Sequence, residues 1–352
     1  MVERQPLRQP GRQAPTGWTP PSVMPLSFEK ATPSTLAAET PKPVRTARPA
    51  RGQPVHAAPS PPAAAPALDI RGHADKVVEL VGAGRIHEAD LHIAAHARLA
   101  EAGGTIADRL DAAAWAAMRA LLDGRQEDAR RGSELVRQLG EQAGDLAAAQ
   151  RYWRQRFWLV LEWGSEEERF ELLDLCRQRA YWQQDLAWRS ALVLLLVRMG
   201  RADEAVRELD ETVRRVLNSR VHDAEWTDMA TNLAEAAALL SDPRRATAVN
   251  RAVDWTKNEM VVIGRADVCK GSTARFQALL SAATGRWAEA DRAFSAATDT
   301  HRRAGAQPLL ARTLREWGRS LTGRDDLRAR SFLQESTVLA TELQLVELLP
   351  AS

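Results

Sequence analysis

The residues best suited to molecular recognition gather in one stretch, Arg151-Tyr152-Trp153-Arg154-Gln155-Arg156-Phe157-Trp158. Five of the eleven tryptophans fall between Trp153 and Trp188. At 3.6 residues per turn Trp153, Phe157 and Val160 share one helix face and belong to a packed core. Arg151, Arg154 and Trp158, spaced i, i+3 and i+7, lie on a second face. Guanidinium groups beside an indole can grip a carboxylate and stack on a ring. The strip therefore suits a peptide carboxylate or an acidic side chain. The same residue types suit single-stranded nucleic acid. A tryptophan-rich core with solvated arginines is the plain alternative. Arg275, at a corresponding offset further along, is a second partner-facing candidate, whereas Trp182 and Trp188 are expected to pack one helix pair against the next.

Other chemistries find less support. His92 and His96 are four apart, with Glu88 one turn earlier, a spacing that can place two imidazoles and a carboxylate on one helix face. The plain reading is a polar face of the first helix pair. Gly82-Ala83-Gly84 begins like a dinucleotide fingerprint, but His87 stands where the third glycine is needed and no strand precedes it. There is no HExxH, no nucleophile elbow and no paired-cysteine metal spacing. The expectation is a non-enzymatic chain with no catalytic residue, cofactor or metal. Cys176 and Cys269 stand alone, which suggests a reducing compartment. The longest purely apolar run, Ala191 to Val197, is too short to span a bilayer, and no apolar leader opens the chain. A cytoplasmic protein without a membrane partner is expected.

Composition divides the chain. Fifteen of the eighteen prolines lie in residues 1–66, with eight Lys/Arg against three Asp/Glu. Such a segment cannot bury enough apolar surface to offset the entropy of ordering, so a disordered tail is expected there. Pro25 to Lys30 is its least polar patch and could be a short docking motif. The remaining 40 Lys/Arg and 43 Asp/Glu nearly cancel, which argues against direct nucleic-acid binding.

The elements that must position the arginine–tryptophan strip follow from an internal repeat. Gly84-Arg85-Ile86-His87-Glu88-Ala89 returns in altered form at Gly124, Gly200 and Gly285, loosely at Gly323, and in degenerate copies at Gly164 and Ser241. The copies start 40, 40, 36, 41, 44 and 38 residues apart. Glycine ends one helix in the left-handed conformation, an acidic residue favours the start of the next, and alanine lets the two pack closely. This predicts helices over 70–82, 85–102, 105–122, 126–142, 145–163, 166–179, 183–199, 202–218, 224–240, 243–260, 265–283, 287–304, 308–321 and 325–344. No strand-type alternation of useful length is visible. Helix pairs that cannot bury their apolar faces alone must stack. The expected fold is all-α, a right-handed α-solenoid of about seven pairs over 67–345, between the tail and a short C-terminal tail over 346–352.

Gly285, Trp287, Ala290, Phe294 and Ala297 sit at the spacing of the second half of a tetratricopeptide repeat (TPR), which this segment resembles. The wider texture of 70–345 resembles the C-terminal helical arrays of large LuxR-type (MalT-like) ATPase transcription regulators, on phrases such as Ala120 to Arg125 and Gly285 to Ala306. In that family the array receives a signal or partner, an ATPase module switches and a helix-turn-helix binds DNA. Here there is no GxxxxGK[ST] phosphate loop and no recognisable DNA-binding segment. The resemblance implies an interaction scaffold or sensor that binds a peptide or protein segment in its concave groove, in a regulatory pathway. The alternative is a transcription regulator, or a remnant of one, acting with a separate ATPase or DNA-binding partner.

Overall fold

The computed structural model describes residues 68–349, apart from 183–184, 219–225, 254 and 256–257. The expected tail over 1–66, with its Pro25–Lys30 patch, lies outside the described residues. The fold is all-helical in class. Among the described residues the helices are α1 (Ile70–Gly82), α2 (Ile86–Gly103), α3 (Ile106–Asp123), α4 (Gln126–Ala143), α5 (Leu146–Trp163), α6 (Glu166–Trp182) and α7 (Leu186–Arg198). They continue with α8 (Ala202–Asn218), α9 (Trp226–Leu239), α10 (Pro243–Ala252), α11 (Thr273–Ala283), α12 (Trp287–Arg303), α13 (Gln307–Leu321) and α14 (Asp326–Glu342).

Local chemistry sets these boundaries. The Asp69 carboxylate accepts the Gly72 N–H at 2.7 Å to start α1. Thr105 and Asp108 form a reciprocal capping box at α3, and Asp145, Asp185 and Asp242 cap α5, α7 and α10. Each such cap stabilises its helix by about 1 kcal/mol. The recurring glycines at 84, 124, 200, 285 and 323 take left-handed φ angles, as the repeat phrase predicts.

The expected helices over 243–260 and 265–283 are corrected. The first stops at Ala252 and the second starts at Thr273. Between them an antiparallel hairpin pairs β1 (Met260–Ile263) with β2 (Val268–Ser272). Three consecutive β-branched residues, Val261 to Ile263, favour the extended backbone. Successive side chains point to opposite sides of the hairpin. Met260 and Cys269 join an apolar cluster with Val77, Ile86 and Trp115 of α1–α3. Val261, Ile263 and Val268 join a second cluster with Phe157, Leu192, Leu233 and Phe276 from α5–α11. Burying each of these valine and isoleucine side chains contributes roughly 1.5–3 kcal/mol. The hairpin is thus a two-faced wedge that completes both cores.

The inner faces meet in other places too. Helices α7, α9 and α11 pack side by side, and α3 packs against α13. The Trp163 Nε1–H donates to the Leu343 carbonyl at 2.9 Å. Of the short C-terminal tail expected over 346–352, Val346–Leu348 form a 3-10 segment with Leu348 buried, and residues 350–352 lie outside the described residues.

Candidate functional site

The site begins with a β-bulge. Val261 pairs with Gly271 and Val262 with Cys269, which leaves Lys270 as the extra residue of β2. A bulge re-aims the side chain it carries. Here it sends the Lys270 ammonium to α9, where Asp228 Oδ1 (3.0 Å), Thr231 Oγ1 (2.6 Å) and Asn232 Oδ1 (2.7 Å) accept hydrogen bonds. The Trp158 ring centroid lies 4.9 Å from the same nitrogen. Burial pushes the Lys270 amine below its ordinary range while Asp228 opposes the shift. Asn232 Nδ2 also donates to Ser190 Oγ on α7 at 3.1 Å, which fixes the amide orientation.

In front of this cluster lies a cleft on helices α5, α7 and α9. Its walls include Arg154, Phe157, Trp158, Trp188, Asp228 and Asn232. Its volume is about 40 Å³, room for a few heavy atoms. Pockets that enclose whole cofactors run to roughly 300–1,000 Å³. This cleft can therefore take the tip of one side chain, with the remainder of a ligand lying outside it. It offers two indole walls, a guanidinium, a carboxylate and a carboxamide.

The expected site residues divide. Arg154 and Trp158 both line the cleft. Arg154 Nη1 also reaches Asp267 Oδ2 at 3.2 Å, and Trp158 is buried as a member of the central apolar cluster while it lines the cleft. Arg151 is held by Asp267 (2.6 Å) and Asp111 (2.5 Å), so it braces α5 against the hairpin turn and α3. Arg275 is fully buried, with Glu235 at 2.9 Å and Glu316 at 2.9 Å. Its guanidinium is spent inside the fold, and it shows no face to a partner. Trp188 is half-buried: it packs against the central apolar cluster as expected, and it also lines the cleft wall, with the Arg179 guanidinium over its ring. The side chain of Trp182 lies outside the described residues. Sequence spacing missed Asp228, Asn232 and Lys270, which come from other elements.

A few buried ion pairs also cross between the helices. Glu235 accepts from both Arg275 and Arg198. Burial alone would raise its carboxyl, but the two arginines hold it well below the usual carboxylate range. Arg198 also meets Glu347 of the 3-10 segment at 2.8 Å, and Arg312 meets Glu162 at 2.7 Å. A second groove, shallower and about 760 Å³, lies between the starts of α6 and α8 and this segment. Phe170 (46 % exposed) and Val346 (75 %) form its apolar floor, and Arg169 and Arg201 edge it.

His301 of α12 shows how closely the bulge is held. The Ser272 N–H donates to its Nε2 at 2.8 Å, so Nδ1 carries the proton and donates to Thr313 Oγ1 at 3.1 Å. The Thr313 hydroxyl in turn donates a hydrogen bond to the Leu309 carbonyl at 2.8 Å. Burial, reinforced by Arg275, pushes the His301 imidazole down to about 3. Among the described residues no three metal-ligating side chains stand together, and no helix is long and apolar enough to cross a membrane.

The sequence matches no protein-family model, and no curated protein matches it.

Proposed function

We propose that this chain is a non-enzymatic interaction scaffold or sensor that binds a peptide or protein segment, anchored by one side chain in the cleft at Arg154, Trp158 and Trp188. The repeated helix pairs are read as a right-handed, TPR-like array of about seven pairs, in keeping with the resemblance to regulator arrays. The observation that carries the reading is the cleft itself. It is walled by indoles, rimmed by charges of both signs, and only about 40 Å³ in volume. A ligand that inserts one group there must be held mostly by the surrounding surface, which is how a chain segment binds.

The test is a peptide-display selection against the immobilised full chain, followed by affinity measurements with the selected peptide. Ala187 lines the cleft, so Ala187→Trp fills it without removing a hydrogen bond of any side chain. The reading expects at least about a tenfold loss of affinity in that variant, roughly 1.4 kcal/mol. Phe170→Asp, in the second groove, should leave affinity unchanged. A peptide lost on Phe170→Asp and kept on Ala187→Trp would move binding to that groove and overturn the cleft.

A further inference from the structure

The hydrogen-bonding groups of the cleft select the kind of side chain that enters it, an inference that rests on the reading of the cleft as a peptide anchor. Trp158 on α5 is buried, yet among the described residues its indole N–H has no acceptor, and it is not sealed from solvent. The indole N–H of Trp188 on α7 is in the same state. A tryptophan N–H in such a setting normally finds a partner. On the α9 wall stands Asp228, with its side chain 20 % exposed. Its Oδ1 accepts from Lys270 at 3.0 Å and from Asn232 Nδ2 at 3.4 Å, and among the described residues no donor reaches Oδ2. The Asn232 amide is itself engaged at both ends, by Lys270 and by Ser190. The open groups are thus indole donors on α5 and α7 and a carboxylate oxygen on α9.

Charge narrows the choice. The Arg154 guanidinium has Asp267 at 3.2 Å, and the Asp228 carboxylate has the Lys270 ammonium at 3.0 Å. Each charge at the cleft is therefore already opposed. An incoming carboxylate would meet Asp228, and an incoming ammonium or guanidinium would meet Arg154. Like charges at such close quarters repel, and this disfavours full charge of either sign. An apolar tip would leave the open donors and acceptor unpartnered. A hydroxyl donates and accepts from a single atom, whereas the groups to be met stand on different walls. A primary carboxamide is uncharged and flat, and it carries its acceptor and its donors on separate atoms. Its few heavy atoms also suit a volume of about 40 Å³.

We propose that the cleft takes the side-chain carboxamide of a glutamine or asparagine in the bound segment. Its carbonyl oxygen accepts from the indole N–H of Trp158 or Trp188, and its amide nitrogen donates to Asp228 Oδ2. This differs from the carboxylate that the spacing of Arg151, Arg154 and Trp158 suggests, because Asp267 and Asp228 come from elements which that spacing does not show.

The test uses five display pools of nonapeptides, with the central residue fixed as Gln, Asn, Glu, Lys or Met and the rest randomised. Each is panned on the immobilised full chain and on Ala187→Trp. The expected result is recovery of the Gln or Asn pool at least about tenfold above the Glu, Lys and Met pools, as an unmade buried hydrogen bond implies, with that excess lost on Ala187→Trp. Asp228→Asn keeps a side-chain oxygen for Lys270 and removes the repelling charge, so there the Glu pool should gain on the Gln pool. An unchanged ratio in the folded variant overturns Asp228 as the selecting group, and the proposal with it. The wild-type comparison decides alone if that variant does not fold. An excess of Glu, Lys or Met that is lost on Ala187→Trp overturns the carboxamide and leaves the cleft as the anchor. No enrichment, or equal recovery on both proteins, overturns the cleft and the carboxamide together.

Discussion

Lys270 and Asp228 meet at 3.0 Å although the first belongs to a hairpin strand and the second to the opening turn of α9. The extra residue of the β-bulge makes the approach possible, and Thr231 and Asn232 complete the ammonium's hydrogen bonds. Removing one member of a buried pair leaves the other uncompensated, which typically costs about 3–5 kcal/mol. Lys270→Met should destabilise by that order, read as a lower urea midpoint. Lys270→Met combined with Asp228→Leu should recover part of the loss. A double variant less stable than the single one would show that the pair is not the source of the effect.

Gly271, the next residue of β2, has φ 86°, and a Cβ built there would stand 2.5 Å from His301 Nε2 and 2.8 Å from a Leu309 methyl. Gly305 also has positive φ but has open space around its Cβ position. Gly271→Ala should therefore cost clearly more than Gly305→Ala, which carries only the backbone term of about 1 kcal/mol. Equal shifts in Tm for the two variants would mean that the bulge relaxes freely.

The buried His301 predicts a pH dependence with a defined sign. Its folded value, about 3, lies below the ordinary histidine value of 6.5. The unfolded chain therefore binds the proton first as pH falls. The group's contribution is complete above about pH 6.5 and declines as pH drops from there towards 3, by about 1.4 kcal/mol per unit in the middle of that window. Comparing urea midpoints at pH 7 and pH 5 in wild type and His301→Gln should show a smaller loss in the variant. Parallel losses would assign the acid sensitivity to other groups.

Both cysteines should be inert in the folded chain. Burial raises the Cys269 thiol to about 11 and the Cys176 thiol further still. The thiolate is the reactive form. A chromogenic disulfide reagent at pH 8 should register neither thiol before denaturant is added and both afterwards. Fast reaction of the native protein would contradict the placement of one or both.

Much of the helical scaffold was legible because its punctuation is local. Glycine stops and acidic starts recur with the repeat, and the observed helix ends fall within a few residues of the expected ones outside 253–272. The hairpin was hidden for two physical reasons. Its strands are buried on both faces, so Val261, Val262 and Ile263 read as an apolar run with no polar alternation. Its turn, Gly264-Arg265-Ala266-Asp267, also repeats the tetrapeptide Gly200-Arg201-Ala202-Asp203 that leads into α8. The next two residues decide between the outcomes: Glu204-Ala205 continues a helix, Val268-Cys269 a strand. In the site, spacing along α5 brought out Arg154 and Trp158. It could not foresee that Asp267 would draw Arg151 inward, or that Glu235 and Glu316 would enclose Arg275, because those carboxylates lie 40 or more residues away in the chain.

The wedge position of the hairpin has a consequence for biosynthesis. An ordinary repeat array can consolidate unit by unit as it leaves the ribosome, since each repeat contacts only its neighbours. Here Trp115 of α3 and Gln155 of α5 wait for carbonyl partners at Arg265 and Asp267. At synthesis rates of about 5–20 residues per second, the first five helices would spend roughly 5–20 s with apolar inner faces uncovered. Holdase chaperones have their longest opportunity in that interval, and translation pauses placed between codons 163 and 272 would lengthen it.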